Sequence, residues 1–222
     1  MPADSSRQRS RVGLSALPLV VGLVLATLTS CALGQRPSLV EQAAAGDQAS
    51  AAVLSLFDRA ASLTFTANYD ITPSLTGQIT HATVVQAGQR QRITIGNVEY
   101  IADGTTSRTC VAGIDECVFS FDDARVSDLS VTHSFWSNSA VGRLTTDSSR
   151  TVGPSVGRTD TIAGRPATCV DLPVPAAFEE DGVGQVTYCA LDDGVLGRYR
   201  GADVTIELTA FSPGADEALL AG

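Results

Sequence analysis

The chain has 222 residues, room for one domain and a targeting segment, with 24 acidic against 15 basic residues and a formal net charge of −9. So acidic a chain repels nucleic acid, whose phosphates are held by Lys and Arg. Every basic residue is Arg, and His81 and His133 are the two histidines. The missing Lys excludes P-loop phosphate chemistry, Schiff-base and pyridoxal chemistry and the Ser-x-x-Lys acyl enzymes, and two His exclude a His-rich metal site.

In chain order, residues 1–11 are polar and carry Arg7, Arg9 and Arg11. Residues 12–28 are an uncharged apolar run, followed by Thr29, Ser30 and Cys31. A basic start, an apolar stretch and small residues form a signal-peptide pattern. Arg before the apolar run stays inside, so the rest is expected outside the cytoplasm. The run Leu28-Thr29-Ser30-Cys31 resembles the lipobox of bacterial lipoproteins. That resemblance implies cleavage after residue 30 and a diacylglycerol on the Cys31 thiol. Burial of acyl chains at about 0.8 kcal/mol per CH₂ then anchors the chain in the cell membrane. The alternative is an uncleaved anchor, since no charge falls between Val12 and Gln35. Residues 31–49, rich in Ala, Gly and Gln, read as a tether.

Residues 49–61 are expected to be helical, because Val53, Leu54, Phe57, Ala60 and Ala61 recur at helical steps. From Leu63 to Ile71 apolar and polar residues alternate, which predicts a half-buried strand. Residues 78–85 and 89–95 read as the next strands. Residues 98–102 and 105–111 flank the hairpin signal Asp103-Gly104, and 118–121 reads as a further short strand. Residues 122–149 fit neither period, predicting one or two short helices or a long loop. Strands return at 156–162, 168–172, 185–191, 195–200 and 203–211, the third and fourth joined by Asp192-Asp193-Gly194. Residues 213–222 are expected to be a loose tail. Nine or ten strands with mostly hairpin connections and one N-terminal helix make an α+β domain over residues 50–212, an antiparallel sheet covered on one face.

With Cys31 lipidated, Cys110, Cys117, Cys169 and Cys189 remain. An even number in an exported domain predicts two disulfides. Of the three pairings, Cys110–Cys117 and Cys169–Cys189 are favoured, each close in sequence across an expected hairpin and each stabilising by roughly 2–3 kcal/mol. Zinc is the weaker alternative, for want of a short Cys-x-x-Cys knuckle or a nearby His.

The order of these motifs resembles the LolA/LolB-like superfamily of exported proteins, in particular actinobacterial lipoproteins of the LprG/LppX type. The resemblance is carried by Cys31 and the helix after it, by the strand with Phe65 and Tyr69, and by Arg92-Ile93 to Ile101-Ala102-Asp103-Gly104 with Cys110 and Cys117. It continues through Ile162-Ala163-Gly164-Arg165 with Cys169 and through Tyr188-Cys189 with Asp192-Asp193-Gly194. It implies a strongly curved antiparallel half-barrel with helices in its concave side and an apolar cavity for acyl chains. Inward residues such as Phe65, Tyr69, Ile79 and Ile93 are then expected to line that cavity.

No catalytic motif survives inspection. Gly153-Pro154-Ser155-Val156-Gly157 matches G-x-S-x-G, but no His follows Ser155 and a strand follows the motif, where the nucleophile elbow needs a helix. His133 with Asp128 and Trp136 reads as packing or surface, and His81 as a half-buried strand residue. Asp122-Asp123 and Asp192-Asp193 lack the ligand spacing of a calcium loop and read as caps and turns. Glu179-Glu180-Asp181 reads as a solvated loop. No enzyme activity, metal or cofactor is expected. The expected function is a membrane-anchored binding protein for a lipid or acylated ligand. The alternative is a sensory or structural lipoprotein whose acidic surface recruits an envelope protein.

Overall fold

The computed structural model describes residues 48–129, 131–177 and 182–221. Cys31, the tether up to residue 47 and Glu179-Glu180-Asp181 lie outside them, as does the Asp128 side chain. The described residues begin with α1 (Gln48–Ala60) and six strands: β1 (Thr64–Pro73), β2 (Thr80–Ala87), β3 (Arg90–Ile95), β4 (Val98–Asp103), β5 (Ser107–Val111) and β6 (Ile114–Val118). A 3₁₀ segment (Asp123–Leu129) and α2 (Asn138–Ser148) follow. The second half holds β7 (Val156–Ile162), β8 (Arg165–Pro175), β9 (Val183–Leu191), β10 (Leu196–Arg200), β11 (Val204–Ser212) and the short helix α3 (Glu217–Ala221).

All eleven strands join one antiparallel sheet, in the order β6-β5-β4-β3-β2-β1-β11-β10-β9-β8-β7. It consists of two meanders that meet where β1 pairs with β11. The sheet does not close, so β6 and β7 are its two edges. This is the open, curved antiparallel sheet with few helices that the sequence resemblance implies.

The alternation of β1 decides which face is covered. Phe65, Ala67, Tyr69 and Ile71 are all buried, as side chains of one parity share one face of a strand. Register places Ala67 in a row with Val84, Ile93 and Tyr100. The stretch from β6 to β7 crosses this inner face. Trp136 sets its ring edge-on to Phe65 at 5.3 Å, and Phe135 does the same to Tyr69 at 5.1 Å. Ala140 and Leu144 of α2 are buried beside them. Each fully buried large side chain contributes about 1.5–3 kcal/mol through the area it removes from water. Residues 122–149 show no clean period because their apolar side chains are divided between a 3₁₀ turn, an irregular segment and one helix.

The apolar stripe Val53, Phe57 and Ala60 of α1 also faces the core. Its C-terminal carbonyls are satisfied from β2. The buried Gln86 amide donates to the carbonyls of Ala60 and Leu63, both at 2.9 Å, and its own oxygen accepts from Gln91 at 2.9 Å. The turn after β9 meets the same helix. A Cβ on Gly194 would lie 2.1 Å from the Leu56 carbonyl oxygen, and the residue has φ +92°. Only glycine meets both demands.

Both disulfides form as the hairpins suggest, Cys110–Cys117 and Cys169–Cys189. Each joins residues directly opposite in neighbouring strands. Register puts Cys110 in line with Glu99, Thr94 and Thr83, on the outer face. Cys189 is in line with Arg198 and Glu207 on the same face.

Four expectations are corrected. The strand expected at 118–121 lies earlier, at Ile114–Val118, because the Cys117 bridge sets its pairing with β5. The strands number eleven. The tail expected to be loose carries α3, bound to the outer face. Arg92 donates to the Leu219 carbonyl at 3.0 Å, and the Thr66 hydroxyl accepts from the Asp216 amide at 2.9 Å. Finally, His81 is no half-buried residue. Its side chain is 84% exposed and 2.7 Å from Asp70. The inward parity of β2 is Ala82, Val84 and Gln86, while Val85 on the His81 side is buried near α3.

The Gln86 amide is expected to be worth more than its polarity suggests. Gln86→Leu removes the buried donor to the Ala60 and Leu63 carbonyls and should lower stability by roughly 1–3 kcal/mol. Denaturant unfolding of the disulfide-intact protein measures it, and an unchanged midpoint would remove the cap from the account.

Candidate binding groove

Among the described residues the inner face over β1 is filled by side chains. Phe65, Tyr69 and Ile93, expected to line a cavity, are each 0–1% exposed and packed within the core. Ile79 is corrected: it precedes β2 and is 55% exposed. Its outward parity in the β1–β2 connection was indistinguishable from an inward one in sequence.

An open groove lies to one side, between α2 and the β8–β10 wing. A groove of about 910 Å³ is lined by Gly142, Arg143, Asp147, Arg150, Val174 and Val186, with Pro175, Tyr199, Ala202 and Asp203 completing it. The spacing of the α2 residues explains this. Ala140 and Leu144 point into the core, and Ser139, Gly142, Arg143, Thr146, Asp147 and Arg150 recur at three- and four-residue steps on the groove side. The sheet supplies a largely apolar floor, and the helix and the turn before β11 supply a charged rim.

The rim is held by a hydrogen-bonded set. Arg143 donates to Asp203 at 2.8 Å and to the Tyr199 hydroxyl at 3.0 Å. Its guanidinium also lies 5.2 Å from the centre of the Tyr199 ring. Tyr188 donates to Asp147 at 2.6 Å, tying β9 to α2. The two tyrosine rings are 4.9 Å apart. Burial, with the Asp203 charge, pushes the Tyr199 phenol up to about 12. Burial and the bond to Asp147 raise Tyr188 further. Burial works against the Arg143 charge, but its bonds to Asp203 and Tyr199 outweigh that and hold it above the ordinary arginine value. At neutral pH these groups keep fixed protonation states. They can bind and orient a ligand, whereas a general acid or base needs a pKa near the working pH.

The other sequence candidates lie elsewhere. His133 sits 2.9 Å from the Asp123 carboxylate and stacks against Phe121 at 4.2 Å, clamping the crossing segment to β4 through Tyr100. Trp136 is not its neighbour but faces Phe65. Ser155 stands directly before β7, so the strand-to-helix turn of a nucleophile elbow is absent there. Asp122 accepts from the Ala124 amide and pairs with Arg125, while Asp193 pairs with Arg165. Asp160, Cys169 and Cys189 offer atoms within 4.8 Å of one another, but both sulfurs are spent on the disulfide. The groove residues were missed in sequence because Arg143, Asp147 and Arg150 carry no motif. The one available signal was a helical polar stripe at 139–150.

No protein-family model matches the chain, and no curated protein matches it. Among solved structures the chain is similar to MucB, with 14% identity over 78% of this chain and a TM-score of 0.46. It is similar to the Pseudomonas aeruginosa MucA/MucB complex, with 13% identity over 78% of this chain and a TM-score of 0.40. It is also similar to LprF from Mycobacterium bovis, with 13% identity over 72% of this chain and 93% of that one, at a TM-score of 0.34. The chain spans about 62% of the length of MucB.

All four tyrosines, Tyr69, Tyr100, Tyr188 and Tyr199, have raised phenol pKa values, each chiefly through burial. A raised phenol pKa means the folded state keeps a proton that the unfolded chain loses near pH 10. This stabilisation is therefore complete below pH 10 and is lost as pH rises through the folded values, about 12 for Tyr199. Absorbance titration of tyrosinate should show none ionising in the folded protein at pH 10, and all four ionising near pH 10 in denaturant. One phenol titrating normally in the folded protein would contradict the packing of that ring.

Proposed function

We propose that the chain is an extracytoplasmic lipoprotein, anchored in the cell membrane through Cys31, that binds an acylated ligand in the groove beside α2 without catalysis. The observation that supports this reading is the groove itself. An apolar floor of Val174, Pro175 and Val186 runs under a rim of Arg143, Asp147, Arg150 and Asp203. Its volume of about 910 Å³ falls in the range of small-molecule sites, about 300–1,000 Å³. A chain of methylenes gains about 25 cal/mol per Å² when such a floor removes it from water, and the arginines suit an anionic or carbonyl-bearing head. The fixed protonation states of Arg143, Tyr188 and Tyr199 agree with binding rather than turnover.

A second reading is a lipoprotein that docks an envelope protein and holds no lipid. The filled inner face favours it, since Phe135, Trp136 and Leu144 occupy the space a deep lipid cavity would need.

Gly142 separates the two readings. It faces the groove, and a Cβ there meets nothing within 4 Å. Gly142→Trp should fold normally and fill the groove. Native mass spectrometry of the exported protein, purified without detergent, should show a co-purifying lipid mass that this variant loses. Uptake of a fluorescent fatty acid should weaken at least about tenfold, equivalent to about 1.4 kcal/mol. Lipid binding unchanged in Gly142→Trp would move the site elsewhere, and wild-type protein that takes up no lipid would favour the docking reading. The anchor is tested separately. Cys31→Ala should abolish palmitate labelling and release the protein from membranes, and retained labelling would overturn the lipoprotein assignment.

A further inference from the structure

The free edge of β7 carries a pattern that the binding groove does not use. The Cα atoms of Cys169 and Cys189 are 4.0 Å apart, the close spacing of a non-hydrogen-bonded antiparallel pair. Cys169 therefore turns its amide and carbonyl the other way, toward Arg158 of β7, which lies directly opposite. The β7–β8 turn agrees. Ala163 at φ 50° and Gly164 at φ 74° form a two-residue hairpin joining Ile162 to Arg165, of the kind that closes on a hydrogen-bonded pair. Even-numbered residues of β7 thus bond to β8. Gly157, Thr159 and Thr161 direct their backbone groups away from the sheet. In keeping with this, the Thr161 amide turns to the Asp160 carboxylate at 2.7 Å.

This edge is seven residues long, and no strand among the described residues borders its outer side. Val156 is 58% exposed at its start. Its sequence, Val-Gly-Arg-Thr-Asp-Thr-Ile, is charge-complementary to its own reverse about Thr159. An antiparallel copy centred there sets Arg158 against the partner's Asp160, and Asp160 against the partner's Arg158, on one face. It also sets Gly157 opposite the partner's Thr161 and Thr159 opposite the partner's Thr159, so the outward backbone groups face one another, the Thr161 amide exchanging its bond to Asp160 for the partner's Gly157 carbonyl. Centring on Arg158 or on Asp160 would keep the hydrogen-bonding parity but set that charge directly opposite its own copy, and like charges directly opposite repel. The sequence of the other edge, β6, is Ile-Asp-Glu-Cys-Val, which holds acidic residues and no basic one and so has no such complementarity to its own reverse.

We infer that β7 is a self-recognition edge through which two copies of this chain pair antiparallel about Thr159 across a two-fold axis. Arg158 and Asp160 guard the edge against unrelated strands and favour its own copy. The contact is smaller than the roughly 1,200 Å² of a stable interface, so the dimer is weak and reversible, populated at high local concentration.

The test uses the full chain with Cys31→Ala, in which the remaining cysteines are held in two disulfides and an added cysteine supplies the one reactive thiol. In a hydrogen-bonded pair the Cα atoms are about 5.5 Å apart, within reach of a disulfide. Thr159→Cys should therefore cross-link to a dimer on mild oxidation. Thr161→Cys should not, because its own copy is displaced by about 13 Å along the strand. Thr159→Pro removes an outward amide that β8 does not use. It should abolish the dimer seen by sedimentation at high concentration while leaving the circular dichroism unchanged. Equal cross-linking at 159 and 161, no cross-linking at 159 in folded protein, or a dimer that survives Thr159→Pro would each overturn the inference.

Discussion

An open sheet must hide one face, and here α1 and the segment that crosses from β6 to β7 do so. The sheet leaves β6 at one edge and resumes with β7 at the other, so the connection has to pass over the inner face. Phe135, Trp136 and Leu144 turn that passage into core by packing on the row begun by Phe65 and Tyr69. Everything on the inner side depends on this. The helix that buries Leu144 has its polar stripe left over, and that stripe becomes one wall of the groove.

The outer face is stabilised differently. Both disulfides lie there, one on each wing, joining strands that are already paired. Around Cys169–Cys189 runs a chain of ion pairs: Arg158 with Asp171 and Asp160, then Arg198 with Asp160 and Glu207. Exposed pairs of this kind stabilise a fold little by themselves. Their larger consequence here is that two of the groups, Arg158 and Asp160, stand on an edge strand, where charge placement governs which strands can join. Filled core, lateral groove and charged edge are the three features on which the proposed binding and the inferred self-pairing rest.

Local signals made much of the architecture legible. The alternation from Leu63 to Ile71 gave β1 its span and its buried parity, because a half-buried strand must alternate. Asp103-Gly104 and Asp192-Asp193-Gly194 marked their hairpins, because those residues suit the turns. The cysteine spacing singled out the observed disulfides, since short loops bring those partners together first. Ile79 and His81 were misread because alternation states a period and not which parity faces inward. The tail was misread because α3 is held by bonds from Arg92 and Thr66, which no five-residue window reveals.

By itself, then, the sequence determined most of the strands, the hairpin connections and the disulfide pairs. These follow from interactions between residues close along the chain. Tertiary structure alone decided that the core is filled, that the open space lies beside α2, and that β7 is left as an edge. Those outcomes depend on where a long crossing connection lands, and so on packing between residues far apart in sequence, such as Phe65 with Trp136 and Arg143 with Asp203. Period and spacing hold no record of such pairs. Only the folded chain brings them together.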